Sequence, residues 1–413
     1  MSLMEEIYLE PHHHFLIRTK YLLSLNETPL FLDGALEIKN LRILRYGAYK
    51  EIQREAVGAK LIDLEDHILM PVLTNAHIHL ELSALRFRIP PTGKFILWVR
   101  QVIKKRMELS PLEIKESATI AIKELLKEGV GIIGDVGNSA LTLEPLSQSP
   151  LLGYLFQEII NFRGKKISLS PLKEFSNRLR LTYSAHAPYT VSPLLLQAIK
   201  AYCRKRKRLF VIHLAESKEE IQFLREGTGP IAELLKERNQ WNEAFIPRGT
   251  TPVKYLDSLG VLDENTLAIH AIHLEEEDLK ILSQRGVKIC LCPRSNLYTG
   301  AGFPNLPQLL KYKLSLCLGT DSLASNDRLS IFEEMKTLLH FYPDTDPLLL
   351  LRIGSIYGAK ILGFEDYGTI KEGAFANLVA ISLSYPPSEN PKQFARDFLF
   401  SEKEVKYRFY ALN

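Results

Sequence analysis

LFVIHLAESKEEIQFLRE, residues 209–226, holds one complete unit of the fold. The apolar run at 209–213 has the length and the branched and aromatic content of a buried strand, and Ser217 stands as a cap before an amphipathic stretch at 218–226. A buried strand followed at once by such a helix is the repeat of a parallel sheet, whose strands need helical crossovers. His213 and Glu216 fall between the two, at the strand's carboxyl end.

The same alternation recurs outward from this unit. Strands are expected at 67–76, 130–135, 151–160, 180–185, 266–270, 287–292 and 314–319, which with 209–213 gives the eight that a (β/α)8 barrel needs. Helical period is clearest at 111–128, 193–205, 275–285 and 329–341. The first 65 or so residues instead alternate short β-rich runs (15–23, 36–46) with turn signals at Asn26, Asp33-Gly34 and Gly47. Residues 368–381 return to that alternation and are expected to rejoin the N-terminal sheet.

Composition bounds the alternatives. The chain has 413 residues, 46% hydrophobic and 24% charged, with 52 Lys plus Arg against 48 Asp plus Glu for a net charge of +4, which excludes a disordered, collagen-like or coiled-coil chain. No apolar run approaches the roughly 18 residues of a membrane span; the one at 348–351 stops at Arg352. Glu5 and Glu6 near the start, without a basic cluster before an apolar core, argue against a secretory signal and for a cytoplasmic protein. Four cysteines without framework spacing agree with a reducing compartment. The basic run at 204–208 has no interleaved aromatic platform, so no nucleic-acid partner is expected, and no membrane partner either. GVGIIG at 129–134 follows a helix and enters a strand, the reverse of a dinucleotide fingerprint.

The chemistry lies where barrel enzymes place it, at carboxyl ends of strands. His77 and His79 are two apart on a strand and so share a face. His213 closes the fifth strand with Glu216 three residues on, His270 and His273 follow the sixth, and Asp321 follows the eighth. Chance must explain each of these strand ends separately, whereas one divalent metal explains them together. The proposed ligands are His77, His79, His213 and Asp321, three imidazoles and a carboxylate, a set that suits zinc first and iron second. Such a metal lowers the pKa of bound water towards about 7. Glu216 is then the candidate proton shuttle, and His270 the group that orients the attacking water; Asp321 shares in that proton's management. His273 is expected on the loop, since only one of the two histidines can face the barrel mouth.

With NAHIHLE at 75–81, HAPYTVSP at 186–193, IHLAES at 212–217, AIHAIH at 268–273, CPRSN at 292–296 and GTDSLASN at 319–326, the chain resembles the amidohydrolase superfamily over nearly its whole length, in the subgroup of purine and triazine deaminases and chlorohydrolases. The likeness is greatest to the aminodeoxyfutalosine deaminases of menaquinone synthesis, with S-adenosylhomocysteine and methylthioadenosine deaminases next. The resemblance implies an α/β fold, a distorted (β/α)8 TIM barrel over 67–363 with a small β-sandwich domain formed by both chain ends, 1–66 and 364–413. It also implies one catalytic metal and hydrolytic replacement of a ring amino group by oxygen. YSAHAPY carries no lysine to bridge two metals, so a mononuclear site is favoured, and His186 would contact the purine.

Substrate contacts are read from position. Glu81 is a candidate for ribose hydroxyls, or else a loop anchor through a salt bridge; Trp98 stands in an insertion that could cover the site, or packs an amphipathic helix on the barrel. Arg163 and Arg294 each follow a strand and are candidates for a substrate carboxylate. The expected partner is a small nucleoside, and a homo-oligomer remains open. Two other classes compete: hydrolysis of a cyclic amide or another leaving group at the same metal, and a barrel that binds without turnover.

Overall fold

Eight parallel strands line the barrel: β1 (Leu73–Ile78), β2 (Val130–Gly137), β3 (Leu152–Ile159), β4 (Leu179–Ala185), β5 (Phe210–Leu214), β6 (Thr266–His270), β7 (Lys288–Leu291) and β8 (Ser315–Leu318). They come from a computed structural model that describes residues 4–164, 169–172, 176–384 and 387–412. Hydrogen bonding divides them into two four-stranded parallel sheets, β1-β2-β3-β4 and β5-β6-β7-β8. Between β4 and β5 the seam is closed by the His213 amide donating to His186 O at 2.8 Å. Between β8 and β1 the amides of Thr320 and Asp321 both donate to His77 O at 3.1 Å, and Ile78 and Asp321 form a parallel bridge. Gly319 makes the second closure sterically allowed, because a Cβ there would lie 2.7 Å from His77 O.

The stretch 67–76, expected as one strand, is two. Ile68–Pro71 pairs antiparallel with Leu378–Leu383 and parallel with His14–Leu23, so it belongs to the terminal sheet, and the barrel begins only at Leu73. Pro71 has no N–H to extend the ladder, and the apolar run continues straight through this break, which hides it from a pattern reading. Both chain ends build that sheet, as expected; it is continuous and eight-stranded, running Glu5–Tyr8, Lys403–Tyr410, Leu378–Leu383, Ile68–Pro71, His14–Leu23, Leu30–Lys39 and Arg42–Ala48, with Lys60–Asp63 paired to His14–Leu23. It has its own core around Ile17, Leu36, Ile38, Ile43, Leu378 and Phe409. Arg408 pins it to the barrel: fully buried, its guanidinium donates to the carbonyls of Leu126 and Val130, the former at a helix C-terminus that favours a cation.

Two helices outside the barrel proper shape the site. α1 (Phe95–Arg106) follows the 3-10 turn Leu80–Leu85, and, after α2 (Lys218–Glu226), α3 (Pro230–Glu237) lies beyond β5. Ser217 caps α2 by accepting from the Glu220 amide, and Gly227 ends it in a left-handed conformation, so the unit at 209–226 folds as its sequence dictates. Among the described residues no helix is long and apolar enough to cross a membrane.

Candidate active site

The strand ends converge. His77 lies within β1, while His79 follows its last residue; the rings of His77, His79 and His213 present one nitrogen each within 4.8 Å of one another. Asp321 Oδ1 stands 3.8 Å from His77 Nε2 and 3.6 Å from His79 Nε2. His213 Nδ1 donates to His186 O at 2.8 Å, which leaves Nε2 as its free lone pair. Both ring nitrogens of His77 are buried without a hydrogen-bond partner. A buried imidazole in that state is costly unless a ligand satisfies it, and three imidazoles with one carboxylate around a common point are a donor set that fits a divalent cation.

Electrostatics agree. Burial drives His77 well below the ordinary histidine range and His213 down to about 3, so the rings are neutral and able to coordinate. Burial opposes ionisation of Asp321, but His79, His270 and the Ser295 hydroxyl outweigh it and hold the carboxyl below its usual value. Asp321 Oδ2 accepts from Ser295 Oγ at 2.5 Å and Ser325 Oγ at 3.0 Å, turning Oδ1 towards the histidines.

Glu216 and His270 face this cluster. Burial, then Asp321, Glu220 and Glu219, push the Glu216 carboxyl well above its ordinary value, which favours its protonated form. Its loop is held by Glu220, whose two oxygens accept the amides of Ala215 at 3.0 Å and Glu216 at 2.9 Å. His270 Nε2 lies 3.4 Å from Glu216 Oε1, and burial lowers this ring to about 4, leaving it neutral. Ala215 (φ 50°), His270 (φ 72°), Ala271 (φ 49°) and Asp321 (φ 56°) all adopt the left-handed region, uncommon for residues with a Cβ; the strand ends turn sharply to aim their side chains inward. His273 sits on the loop, its Nε2 2.7 Å from Ala301 O, as expected.

A cavity of about 620 Å³ opens over these groups. His186 lines it with Nδ1 2.8 Å from Thr190 Oγ1, and burial lowers this ring to about 3. Trp98 also lines it, its indole N–H donating to Ala324 O at 2.8 Å, so α1 is a wall of the cavity. Glu81 is in the wall as well, but its carboxylate accepts from Arg106 at 2.8 Å, the Asn138 amide at 2.9 Å, and Ser139 N and Oγ at 3.1 and 2.8 Å. Those four bonds use the roughly four acceptor positions of a carboxylate, so Glu81 acts as the loop anchor and has none left for ribose.

The two expected arginines are not in the cavity. Arg163 is exposed outside its lining, and Arg294 is turned to Asp327, to Asn326 at 3.2 Å and, through its amide, to Glu334 at 2.9 Å. A strand end fixes where the backbone is but not which way a long side chain leaves it. Arg106, from α1, and Arg238, just past α3, line the cavity instead, with Met107, Val102, Leu234 and Leu235 as its apolar wall. Basic ends of helices read as ordinary capping; the one sequence signal for Arg106 was its helical phase relative to Trp98, two turns earlier.

The amidohydrolase family matches residues 68–407. A 5-methylthioadenosine/S-adenosylhomocysteine deaminase of Pelotomaculum thermopropionicum is 30% identical over 86% of this chain and 82% of its own length. An aminodeoxyfutalosine deaminase of Deinococcus radiodurans is 27% identical over 72% and 73%. Among solved structures, an aminofutalosine deaminase of Helicobacter pylori in complex with methylthio-coformycin superposes with a TM-score of 0.82, covering 96% of this chain and 98% of that one at 22% identity, and so shares the fold.

Proposed function

Because this chain belongs to the amidohydrolase family, we propose that it is a metal-dependent hydrolytic deaminase of an adenine-type nucleoside, with 6-amino-6-deoxyfutalosine as its substrate. The observation that carries the reading is the meeting of His77, His79, His213 and Asp321 at the base of one cavity, with Glu216 and a neutral His270 beside them and only His77 lying behind its lining. The four ligands hold the metal, zinc in preference to iron. A bound divalent cation supplies an activated water at neutral pH. Glu216 delivers its proton to the ring nitrogen beside the attacked carbon, which makes that carbon electrophilic. Asp321 takes one proton from the attacking water and passes it to the departing amine, the proton left on the added oxygen returns to Glu216 as the carbonyl forms, and His270 steadies the incoming oxygen. Water is consumed and ammonia released. His186 holds the far edge of the purine.

The substituent on the ribose is read from the outer cavity. Trp98, Val102, Met107 and Leu235 offer an apolar slot for an aromatic ring, and Arg106 and Arg238 a pair of cations for its carboxylate. The relative from Pelotomaculum supports a second reading, deamination of S-adenosylhomocysteine or methylthioadenosine. Ammonia release from adenosine, methylthioadenosine, S-adenosylhomocysteine and aminodeoxyfutalosine decides between them. The last is expected to give the highest kcat/KM and adenosine the lowest. A tenfold preference for S-adenosylhomocysteine overturns the substrate and keeps the chemistry; no reaction with any adenine compound overturns the chemistry.

A further inference from the structure

The CPRSN stretch at 292–296 supplies neither a proposed metal ligand nor a proposed proton carrier, yet two of its side chains touch Asp321 and His270, the two groups assigned to the attacking water. It opens the helix α4 (Pro293–Thr299) directly after β7. Ser295 Oγ donates to Asp321 Oδ2 at 2.5 Å, and Asn296 Nδ2 lies 2.8 Å from His270 Nδ1. Ser295, Asn296 and His270 are all fully buried. The Asn296 amide is itself tied to Cys292 O at 3.0 Å, and its carbonyl accepts from Thr299 Oγ1 at 3.3 Å, so the backbone carrying the side chain is fixed.

An amide NH2 group only donates, so the ring nitrogen that meets it must be the lone-pair nitrogen. A neutral imidazole carries one proton, and with Nδ1 accepting it rests on Nε2. That Nε2 is buried, has no hydrogen-bond partner, and points to Glu216 Oε1. We propose that Asn296 is a positioning residue that locks His270 in the Nε2–H tautomer, so that the ring faces the reacting centre as a hydrogen-bond donor and never as a base. This rests on the deaminase reading for its catalytic meaning but not for its geometry. Ser295 is the weaker half of the pair, because Ser325 donates to the same Asp321 oxygen at 3.0 Å and Asn296 has no such understudy among the described residues.

The test reads the tautomer directly. In metal-loaded full-length protein labelled with ¹⁵N-histidine, two-bond nitrogen–proton correlations distinguish Nε2–H from Nδ1–H, and His270→Asn identifies the signal. The wild type is expected to show Nε2–H at His270. Asn296→Asp, nearly isosteric but able only to accept, draws the proton to Nδ1; Asn296→Ala gives a mixture. Both lower kcat by about 10-fold to 10³-fold with KM little changed, less than the roughly 10⁴-fold loss of a general-base histidine put in the wrong tautomer, since His270 orients and does not carry the proton. Ser295→Ala costs less than either. A merely structural asparagine would tolerate the isosteric Asp better than Ala and leave the tautomer alone. Nδ1–H or a charged ring in the wild type overturns the proposal, as does an unchanged tautomer and kcat in both Asn296 variants. Since the spectrum needs no substrate, a chain that deaminates nothing would sink the deaminase reading while the tautomer still decides this one.

Discussion

Glu216 is a carboxyl whose proton the fold holds more tightly by taking it out of water, with Asp321 adding a like charge nearby and Glu220 holding its backbone. Glu216→Gln keeps size and hydrogen bonding but has no proton to give. It is expected to retain metal and Tm while kcat drops by about 10² to 10⁴; near-normal turnover would move the role elsewhere. Glu334, behind Asp321, makes a different kind of prediction. Burial raises it from 4.5 to about 8 although Arg294 N and Asn326 donate to it. The folded chain therefore holds this proton more tightly than the unfolded chain, so the stabilisation is complete below about 4.5 and is lost as pH rises through about 8. Glu334→Gln loses a hydrogen bond at every pH but escapes that loss. The stability advantage of the wild type over this variant should thus shrink between pH 5 and 9, by a few kcal/mol at most, since one pK unit is about 1.4 kcal/mol. Thermal melts across that range check it, and a gap that widens with pH contradicts the assignment.

At the level of elements, what the sequence made legible and what it hid separate cleanly. Metal candidates were readable because each sits at the end of an apolar run, and a run's end is a position that pattern alone supplies; His77, His213 and Asp321 need no side-chain geometry to be placed together. Arg163 and Arg294 satisfied the same rule and lie elsewhere, because long side chains choose among rotamers and partners that no spacing reports. Arg106 and Arg238 escaped notice for the complementary reason. They belong to α1 and to the end of α3, far apart in sequence, and only the packing of these helices over the barrel mouth brings them to one cavity. The break at Pro71 was invisible because both sides of it are apolar. If these helix ends choose the substrate, Arg238→Gln raises KM for a nucleoside bearing a carboxylate by about tenfold or more and leaves adenosine within a factor of about three, because a cation built for an anion discriminates only among ligands that carry one, whereas Arg106→Gln also unpairs Glu81 and weakens both compounds. Steady-state kinetics on the two compounds suffices, and equal losses for both in Arg238→Gln would assign that arginine to the scaffold.

Across the whole molecule, the barrel is two half-cylinders, and its two seams run through His186 with His213 and through His77 with Asp321. His77 and His79 belong to one half, His213 and Asp321 to the other. An ion held by all four would therefore be a rivet as well as a reagent, joining walls that the backbone joins by only a few hydrogen bonds. Binding to the closed form alone stabilises by RT ln(1 + [M]/Kd), about 4 kcal/mol at a thousandfold excess over Kd. Stripping the metal with a chelator should lower Tm and speed hydrogen exchange at the amides of His213, Thr320 and Asp321 before it does so inside β2 or β6. Uniform exchange after stripping would mean that the seams hold unaided. Loss of the ion would then disarm the chemistry and unlatch the wall in the same event, so that a chain starved of metal presents an opened cylinder to proteases and to its own neighbours.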